Sequence, residues 1–267
     1  MVSENKKRFF EFEDLAWFPC FIRESMTDYL RFVFRFSNLY SPVVPLLKNA
    51  LEKSQSISIV DLCSGSGGPV EQIISGLNTG KEKTTITLTD KYPSILAWER
   101  LKIASGNTIN YVKEPVDACN VPKNLKGFRT VFSGFHHFDK NTATAVIKNA
   151  VDAGEGIAVF DGNKSILMIL DILILHPLGF IFLTPFIGPF RISRIIFTYL
   201  IPVIPFCTIW DGIVSVLRLY SEEQMLSIAK NAGGNYTWKS GTVKNKFGMK
   251  ITYLLGWREE MNQAIHN

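Results

Sequence analysis

A glycine-rich turn and a carboxylate further along the chain could together bind a nucleotide-like ligand. Residues 61–67 read Asp-Leu-Cys-Ser-Gly-Ser-Gly, and Asp90 follows about 20 positions later. Glycines between a strand and a helix allow a ligand to approach the backbone, and they place the free N–H groups of the helix beside it. A carboxylate at the end of the next strand can accept hydrogen bonds from ribose hydroxyls. The turn and Asp90 are therefore candidate binding residues.

Two adjacent histidines are the candidates for proton transfer. The segment 135–139 reads Phe-His-His-Phe-Asp and follows a predicted strand. Imidazole exchanges protons near neutral pH, so His136 or His137 could act as the general base for a group that must lose a proton. Packing beneath the sheet would explain either histidine equally well. Asp139 is expected to cap the helix that follows.

Alternating strands and helices are needed to bring these residues together. Apolar runs bounded by turn residues predict strands at 57–62, 84–89, 109–113, 128–133 and 156–161. Helical spacing of apolar residues predicts one or two helices before the first strand, and others at 69–77, 93–104, 141–153 and 222–231. The strands 236–243 and 249–257 are joined by a short turn and must be antiparallel. This alternation predicts a doubly wound α/β sheet.

The glycine turn resembles the first motif of class I S-adenosylmethionine-dependent methyltransferases, a Rossmann-like family. That motif reads acid-x-Gly-x-Gly-x-Gly and is matched by residues 61–67, with Cys63 in place of the first glycine. The resemblance covers roughly 56–161 and 221–257. It implies a seven-stranded, mostly parallel sheet of order 3-2-1-4-5-7-6 with an antiparallel last strand, and S-adenosylmethionine as the cofactor. A nicotinamide dehydrogenase is the nearest alternative, but it would need a small residue where Val70 stands.

The resemblance also implies roles for individual residues. The cofactor-binding set is Asp61, Cys63, Ser64, Gly65, Gly67, Asp90, Lys91, Asp117, Ala118 and Ser133. Within it, Asp61 would help to hold the methionine end, Asp90 the ribose hydroxyls, and Asp117 with Ala118 the adenine. The stretch from Ser133 to His136 would face the sulfonium. The histidine pair is similar to one in many small-molecule methyltransferases, which makes His136 and His137 the catalytic candidates, and no metal is expected.

A long apolar segment interrupts the alternation after the fifth predicted strand. Asp171 is the only carboxylate in 166–190, and Asp211 the only one in 195–217. We therefore predict an N-terminal helical cap at 1–55, a cofactor-binding domain at 56–163 and 219–267, and an apolar helical insertion at 164–218. Three interpretations of the insertion are open: a monotopic membrane patch, a soluble lid over an apolar substrate, or a spanning hairpin.

All three interpretations of the insertion predict the same polarity for the methyl acceptor. A monotopic patch would place four basic residues at lipid headgroups, namely Lys164, Arg191, Arg194 and Arg218. Prolines and glycines, Pro177 and Gly179 among them, argue against a straight spanning helix. The insertion can roof the acceptor site, so the acceptor is expected to be apolar.

Composition narrows the function further. With 46% hydrophobic residues, the chain is not disordered, and its net charge of +5 is scattered, so nucleic acid is not expected as a partner. Four cysteines without C-x-x-C spacing and an N-terminus unlike a secretory signal favour the cytoplasm, with peripheral attachment to the inner face of the membrane as one alternative. We predict a methyltransferase for a hydrophobic small-molecule or lipid-like acceptor. The alternative is a non-enzymatic, membrane-associated module that retains this fold; oligomeric state is not indicated.

Overall fold

One seven-stranded sheet runs through the computed structural model, which describes residues 9–79 and 83–259. The strands are β1 (Ser58–Leu62), β2 (Thr85–Leu88), β3 (Ile109–Tyr111), β4 (Phe128–Phe132), β5 (Ile157–Gly162), β6 (Tyr236–Lys244) and β7 (Lys250–Arg258). Their order is β3-β2-β1-β4-β5-β7-β6. β7 runs antiparallel to both of its neighbours, and the other pairs are parallel. The predicted strand order and the antiparallel last strand are confirmed.

Helices cover both faces of the sheet and its carboxyl edge. They are α1 (Cys20–Ser37), α2 (Val44–Lys53), α3 (Val70–Leu77), α4 (Ile95–Ala104), α5 (Lys140–Asp152), α6 (Ile166–Leu183), α7 (Ile192–Ile195), α8 (Val203–Arg218) and α9 (Glu222–Asn231). The central strand β4 is buried along its whole length, because parallel strands connected by helices are covered on both faces. The observed bounds of α3, α4, α5 and α9 lie within two residues of the predicted ones, whereas α2 was not predicted as a separate helix.

Two apolar cores hold the helices against the sheet. On one face, Leu47 of α2, Val70 of α3 and Trp98 of α4 are buried against the strands. On the other face, Val146 of α5 and Ile228 of α9 are buried in the same way. This packing fixes the carboxyl ends of β1, β2, β4 and β5 at one edge, where ligands bind in open α/β sheets.

Local signals in the sequence set the starts of two helices. The side chain of Asp139 accepts a hydrogen bond from Thr142 N and caps α5, as predicted. Ser221 and Gln224 form a reciprocal capping box at the start of α9. Each cap satisfies backbone N–H groups that the first turn of a helix leaves without partners.

The N-terminal helices and the apolar insertion share a third core above the carboxyl edge. Met26 and Tyr29 of α1 are buried together with Phe180 of α6 and Ile204 of α8. The rings of Tyr29 and Phe180 stack with centroids 3.9 Å apart. Gly179 allows this contact, because a Cβ there would lie 2.6 Å from the Tyr29 hydroxyl oxygen. The predicted cap and insertion therefore pack on each other.

Helix α6 is continuous, contrary to the expectation that Pro177 and Gly179 would break it. With the short turn that follows, Ile166–Phe186 forms a run of 21 residues with a hydropathy of 2.5 and little burial, which is long and apolar enough to cross a membrane. The segments Ile192–Leu200 and Val203–Arg218 would pass the same test only as a pair, and they are bent by 78°. Packing against α1 and α8 overrides the helix-breaking tendency of the proline.

The arginines predicted to face lipid headgroups are engaged within the protein, so that part of the prediction is wrong. Arg194 is 2% exposed, forms an ion pair with Asp28 of α1, and donates from Nη1 to the carbonyl of Ile187 (2.7 Å). Arg191 and Arg218 are half-buried in ion pairs with carboxylates of the N-terminal region. The charges flank an apolar segment in sequence, but their partners come from a distant part of the chain.

Candidate functional site

The carboxylate of Asp61 shapes the glycine turn from within. Asp61 is 2% exposed, and it accepts hydrogen bonds from Ser64 Oγ (2.7 Å) and Thr130 Oγ1 (2.6 Å). Burial raises the pKa of Asp61 to about 7, although these two donors oppose the increase. Ser64 lies in the turn and Thr130 lies on β4. The position of Asp61 therefore holds the turn against the sheet.

The backbone of the turn adopts conformations that favour glycine. Gly67 has a φ of 100°, and a Cβ there would lie 2.2 Å from Leu101 Cδ1 of α4. The Gly65 carbonyl accepts from Trp98 Nε1 (2.8 Å). Cys63 has a φ of 58°, so it takes the left-handed conformation at the position where the motif has its first glycine. Such a residue costs about 1–2 kcal/mol, and strain of this kind concentrates at functional sites.

Asp90 lies at the end of β2, directly beside the turn. Its Oδ2 accepts from Gly65 N (2.8 Å) and its Oδ1 accepts from Tyr92 N (2.8 Å). Burial raises the pKa of Asp90, and the two backbone donors oppose that increase. The side chain remains half-buried, so part of the carboxylate faces the crevice. Lys91 is exposed next to it.

The loop after β3 is tied to the same strand end. Val116 N donates to the Asp90 carbonyl (2.9 Å), and Asp117 Oδ1 accepts from Cys119 N (2.8 Å). Asp117 is exposed, whereas Ala118 is buried against the sheet. The loop therefore presents one carboxylate and a short apolar patch beside Asp90.

Ser133 ends β4 on the other side of the turn. Its φ is 50°, again left-handed, and its hydroxyl hydrogen-bonds with the Tyr40 hydroxyl. Ser133 lines a cavity that extends away from the glycine turn. The structure thus brings the predicted cofactor-binding residues to one edge, with Asp61 and Ala118 as buried supports and Lys91 at the surface.

His136 is held by a carboxylate that the sequence analysis missed. Its Nδ1 lies 2.9 Å from both carboxylate oxygens of Asp161, and its backbone N–H donates to Asp161 Oδ2 (3.0 Å). Because a carboxylate only accepts, Nδ1 carries the proton in this contact. Asp161 is 1% exposed, and both residues line the cavity. The pair fixes the orientation and the tautomer of the imidazole.

His137 belongs to an ion network with the N-terminal segment. Its Nδ1 lies 2.8 Å from Asp14 Oδ1 and 3.1 Å from Glu11 Oε2, and Arg218 Nη1 contacts both carboxylates. Burial lowers the pKa of His137, but Glu11 and Asp14 outweigh it and raise that pKa to about 10. His137 is therefore an imidazolium near neutral pH. This charge state makes it a structural cation and a poor proton acceptor.

Three side chains around the histidine pair lie close enough together to offer ligands to one metal ion. Glu11, His136 and His137 each offer one possible ligand atom, and these atoms lie within 4.8 Å of one another. Arg218 and the His137 imidazolium already neutralise Glu11 in this arrangement. Ion pairs within the protein therefore explain why these charged side chains lie together.

A cavity of about 440 Å³ lies between the carboxyl edge and the helices above it. Apolar side chains of α1 and α6 form its walls, including Val33, Phe34 and Ile172. Glu13 and Asp211 also line it. Burial and the charge of Asp211 raise the pKa of Glu13 to about 8. Burial and the charge of Glu11 raise the pKa of Asp211 to about 7. The lining of the cavity therefore combines apolar side chains with ionisable groups, and the insertion itself contributes Asp171 and His176.

The residues of the site that the sequence analysis missed differ in whether a sequence pattern could have identified them. Asp161 ends the fifth strand, so the rule that singled out Asp90, a carboxylate at a strand end, could have found it. Glu11, Glu13 and Arg218 come from segments far away in sequence, and no local pattern places them beside the histidines. Tyr40 likewise reaches Ser133 only through the packing of the N-terminal helices.

The chain resembles solved structures in fold. The pyocyanin biosynthetic protein PhzM has a TM-score of 0.50 at 14% identity, over 83% of this chain and 56% of that one. A putative O-methyltransferase from Nostoc punctiforme has a TM-score of 0.50 at 13% identity, over 86% and 60%. The S-adenosylmethionine-dependent methyltransferase SibL has a TM-score of 0.50 at 10% identity, over 83% and 56%.

These likenesses establish the architecture. The chain spans less than two thirds of the length of these three proteins. No family profile matches the sequence, and no curated protein sequence matches it. The chain has the fold of class I S-adenosylmethionine-dependent methyltransferases.

Proposed function

We propose that this protein transfers a methyl group from S-adenosylmethionine to an apolar acceptor bound in the cavity. The observation that carries the proposal is the His136–Asp161 pair, which lines the cavity at the carboxyl edge, beside the end of β4. The cofactor turn and the acceptor cavity flank the same connection after β4, because a Cβ on Gly134 would lie 3.1 Å from Cys63 Cβ and Ser133 lines the cavity. They provide the two halves of a group-transfer site. The likeness in fold to a putative O-methyltransferase and to the methyltransferase SibL supports the same conclusion.

The residues at the turn fit S-adenosylmethionine. Gly67 lets α4 pack closely against the turn, because a Cβ there would lie 2.2 Å from Leu101 Cδ1, and the Asp90 carboxylate can accept from two ribose hydroxyls. The loop that carries the exposed Asp117 is tied to Asp90 through Val116 and would hold the adenine. When bound, the cofactor supplies an activated methyl group on its sulfonium. Ser133 lies between this crevice and the cavity, where the acceptor would meet that methyl.

His136 is the residue that we assign to proton transfer. Asp161 accepts from Nδ1–H, so Nε2 is the nitrogen through which the imidazole would take a proton from an acceptor hydroxyl or amine. His136 Nε2 would take the proton of the acceptor while the acceptor atom bonds to the methyl carbon and the bond from that carbon to sulfur breaks, so that S-adenosylhomocysteine leaves. Asp161 would stabilise the resulting imidazolium. Holding the acceptor in line with the methyl supplies much of the remaining acceleration.

The exposed surface of α6 supports membrane attachment. Leu173, Ile174 and Leu178 are about half exposed, and in the whole helix only Ile172 and Phe180 are buried. An apolar surface of this length exceeds what monomeric soluble proteins normally present to water. We therefore propose that α6 lies in one leaflet of a membrane and that the protein is attached to its cytoplasmic face. The four unpaired cysteines are consistent with a reducing compartment.

A titration and a labelling assay test the enzymatic proposal. Calorimetry should show S-adenosylmethionine binding in the micromolar range, and cofactor with a labelled methyl should transfer label into a polar lipid extract. A folded protein that binds neither S-adenosylmethionine nor S-adenosylhomocysteine would be a non-enzymatic module. Binding without transfer to any lipid fraction would instead exclude a lipid-like acceptor.

A further inference from the structure

The mouth of the acceptor cavity is formed by exposed apolar side chains. Leu167, in the first turn of α6, is 72% exposed, and Phe247, in the turn between β6 and β7, is 63% exposed. Both residues line the cavity, whose other end carries the buried Asp161. The cavity therefore reaches the surface between α6 and the β6–β7 turn. A mouth with apolar walls is costly in water and favourable in contact with hydrocarbon.

The β6–β7 turn combines this aromatic residue with clustered lysines. Lys244, Lys246 and Lys250 are exposed around Phe247, and Lys246 Nζ lies 4.9 Å from the centre of the phenyl ring. The ion pairs found among residues 9–79 and 83–259 include none of these three lysines. Their charge is therefore available to an external anionic surface, unlike that of the buried arginines of the insertion.

The turn holds Phe247 in a defined position. Asn245 is buried, and its Oδ1 accepts from Phe247 N (2.9 Å) and Met249 N (3.0 Å). Asn245 Nδ2 also donates to the carbonyl of Ser37 at the end of α1 (3.4 Å). The exposed phenyl ring thus stands on an ordered turn that is anchored to the N-terminal helices.

We propose that the β6–β7 turn docks on an anionic bilayer beside α6, and that the acceptor is a membrane-resident amphiphile that enters the cavity between Leu167 and Phe247. An exposed aromatic ring flanked by lysines is suited to the interface, where the ring contacts acyl chains and the ammonium groups contact anionic headgroups. The cavity joins this mouth to the His136–Asp161 pair, since all four residues line it. An apolar chain would lie towards the mouth, and the reactive polar group would reach His136.

Vesicle flotation tests the docking of the turn. The double variant Lys244→Gln/Lys246→Gln should bind vesicles of equal parts phosphatidylcholine and phosphatidylserine about 30-fold more weakly than wild type, because each lysine near an anionic surface contributes about fivefold. The matched variant Lys123→Gln/Lys126→Gln removes the same charge from another loop and should bind like wild type. Phe247→Ser should weaken binding to pure phosphatidylcholine vesicles as well. Wild-type flotation by the Lys244/Lys246 variant, or no flotation by the wild-type protein, would overturn the docking.

Methyl transfer tests the route of the acceptor, a part of the inference that rests on the proposed function. A polar lipid extract is offered once in anionic vesicles and once in neutral detergent micelles, with labelled S-adenosylmethionine. The Lys244→Gln/Lys246→Gln variant should lose transfer in vesicles and keep it in micelles. Equal transfer by variant and wild type in both presentations would refute access from the bilayer. If the wild type methylates neither preparation, the proposed lipid methylation fails, while flotation still decides whether the turn docks.

Discussion

Replacing Asp161 by asparagine changes the proton on His136 with almost no change in shape. Asp161 accepts from His136 Nδ1, from His136 N and from Gly162 N, all within 3.0 Å. An asparagine has one oxygen, so it can accept from only one of the two backbone donors, and its NH2 group replaces the other oxygen 2.9 Å from Nδ1. When Nδ1 accepts from that NH2 group, the imidazole proton lies on Nε2. In that tautomer Nε2 cannot take a proton from an acceptor.

The expected loss follows from the role of the base. A positioned general base contributes about 100-fold to 10,000-fold to the rate, so kcat for Asp161→Asn should fall by about that range. Affinity for S-adenosylmethionine should change little, because Asp161 is not among the predicted cofactor contacts, most of which lie on β1, β2 and the loop after β3. Single-turnover methyl transfer and calorimetry measure the two quantities separately.

Controls decide whether the loss is catalytic. Asp152→Asn makes the same chemical change at an exposed ion pair with Lys148 and should leave turnover unaltered. Circular dichroism should show that Asp161→Asn is folded, although a mismatched buried donor costs about 1–3 kcal/mol of stability. A folded Asp161→Asn variant with wild-type turnover would refute the assignment of His136 as the base.

Three further predictions concern the cofactor site, the N-terminal network and the insertion. Asp90→Ala should weaken S-adenosylmethionine binding about 10- to 100-fold in calorimetry, because hydrogen bonds to a charged acceptor contribute about 1.5–3 kcal/mol; unchanged affinity would remove Asp90 from the site. Thermal melts at constant ionic strength should show stability falling as pH rises, from 4.5 through about 8 for Glu13 and from 6.5 through about 10 for His137. Both groups hold their proton more tightly in the folded chain, so a Tm that rises over this interval would contradict the network. Arg194→Ala should lower the free energy of unfolding in urea by about 3–5 kcal/mol, because it removes the nearer ion-pair partner of the buried Asp28 and leaves only Arg191 at 3.7 Å; a neutral effect would show that the ion pair is not buried in solution.

The sheet could be predicted from the sequence because its signals are local. Each strand is a short apolar run, each covering helix has its own periodicity, and caps such as Asp139 and Ser221 lie within a few residues of the helices that they begin. The cofactor turn was recognisable for the same reason, since residues 61–67 are contiguous. The antiparallel final hairpin follows from its short connection.

The histidines show where local reasoning ends. Their type and position marked both as candidates, but only the structure separates them. His136 meets Asp161, which orients it, whereas His137 meets Asp14 and Glu11, which hold it as a cation. Asp161 lies 25 residues from His136 in the sequence, whereas Asp14 lies 123 residues from His137. The second contact depends on how the N-terminal segment packs above the sheet. A local sequence pattern does not predict that packing.

The insertion illustrates a second limit, because charge near an apolar segment does not reveal which surface the charge faces. Arg191 and Arg194 flank apolar helices, yet both form ion pairs with carboxylates of α1. Lys244, Lys246 and Lys250 near the cavity mouth form no ion pair with the described residues, and they lie in or next to the β6–β7 turn, which the sequence analysis identified only as a connection between strands. A membrane interface is therefore identified by exposed and unpaired charge, and burial decides which charges qualify.

Helix α1 connects the two halves of the proposed enzyme. Thr27 Oγ1 lies 2.6 Å from Ser66 Oγ in the glycine turn, and the adjacent Asp28 pairs with Arg194 of the insertion. One turn of α1 therefore contacts both the cofactor turn and the segment that we place at the membrane. A shift of the insertion on a bilayer would act on Asp28 and, through the same helical turn, on Ser66. Because an ion pair and a hydrogen bond in adjacent residues are coupled by a rigid helix, the loss of Arg194 should weaken cofactor binding as well as stability, although Arg194 lies outside the cofactor crevice.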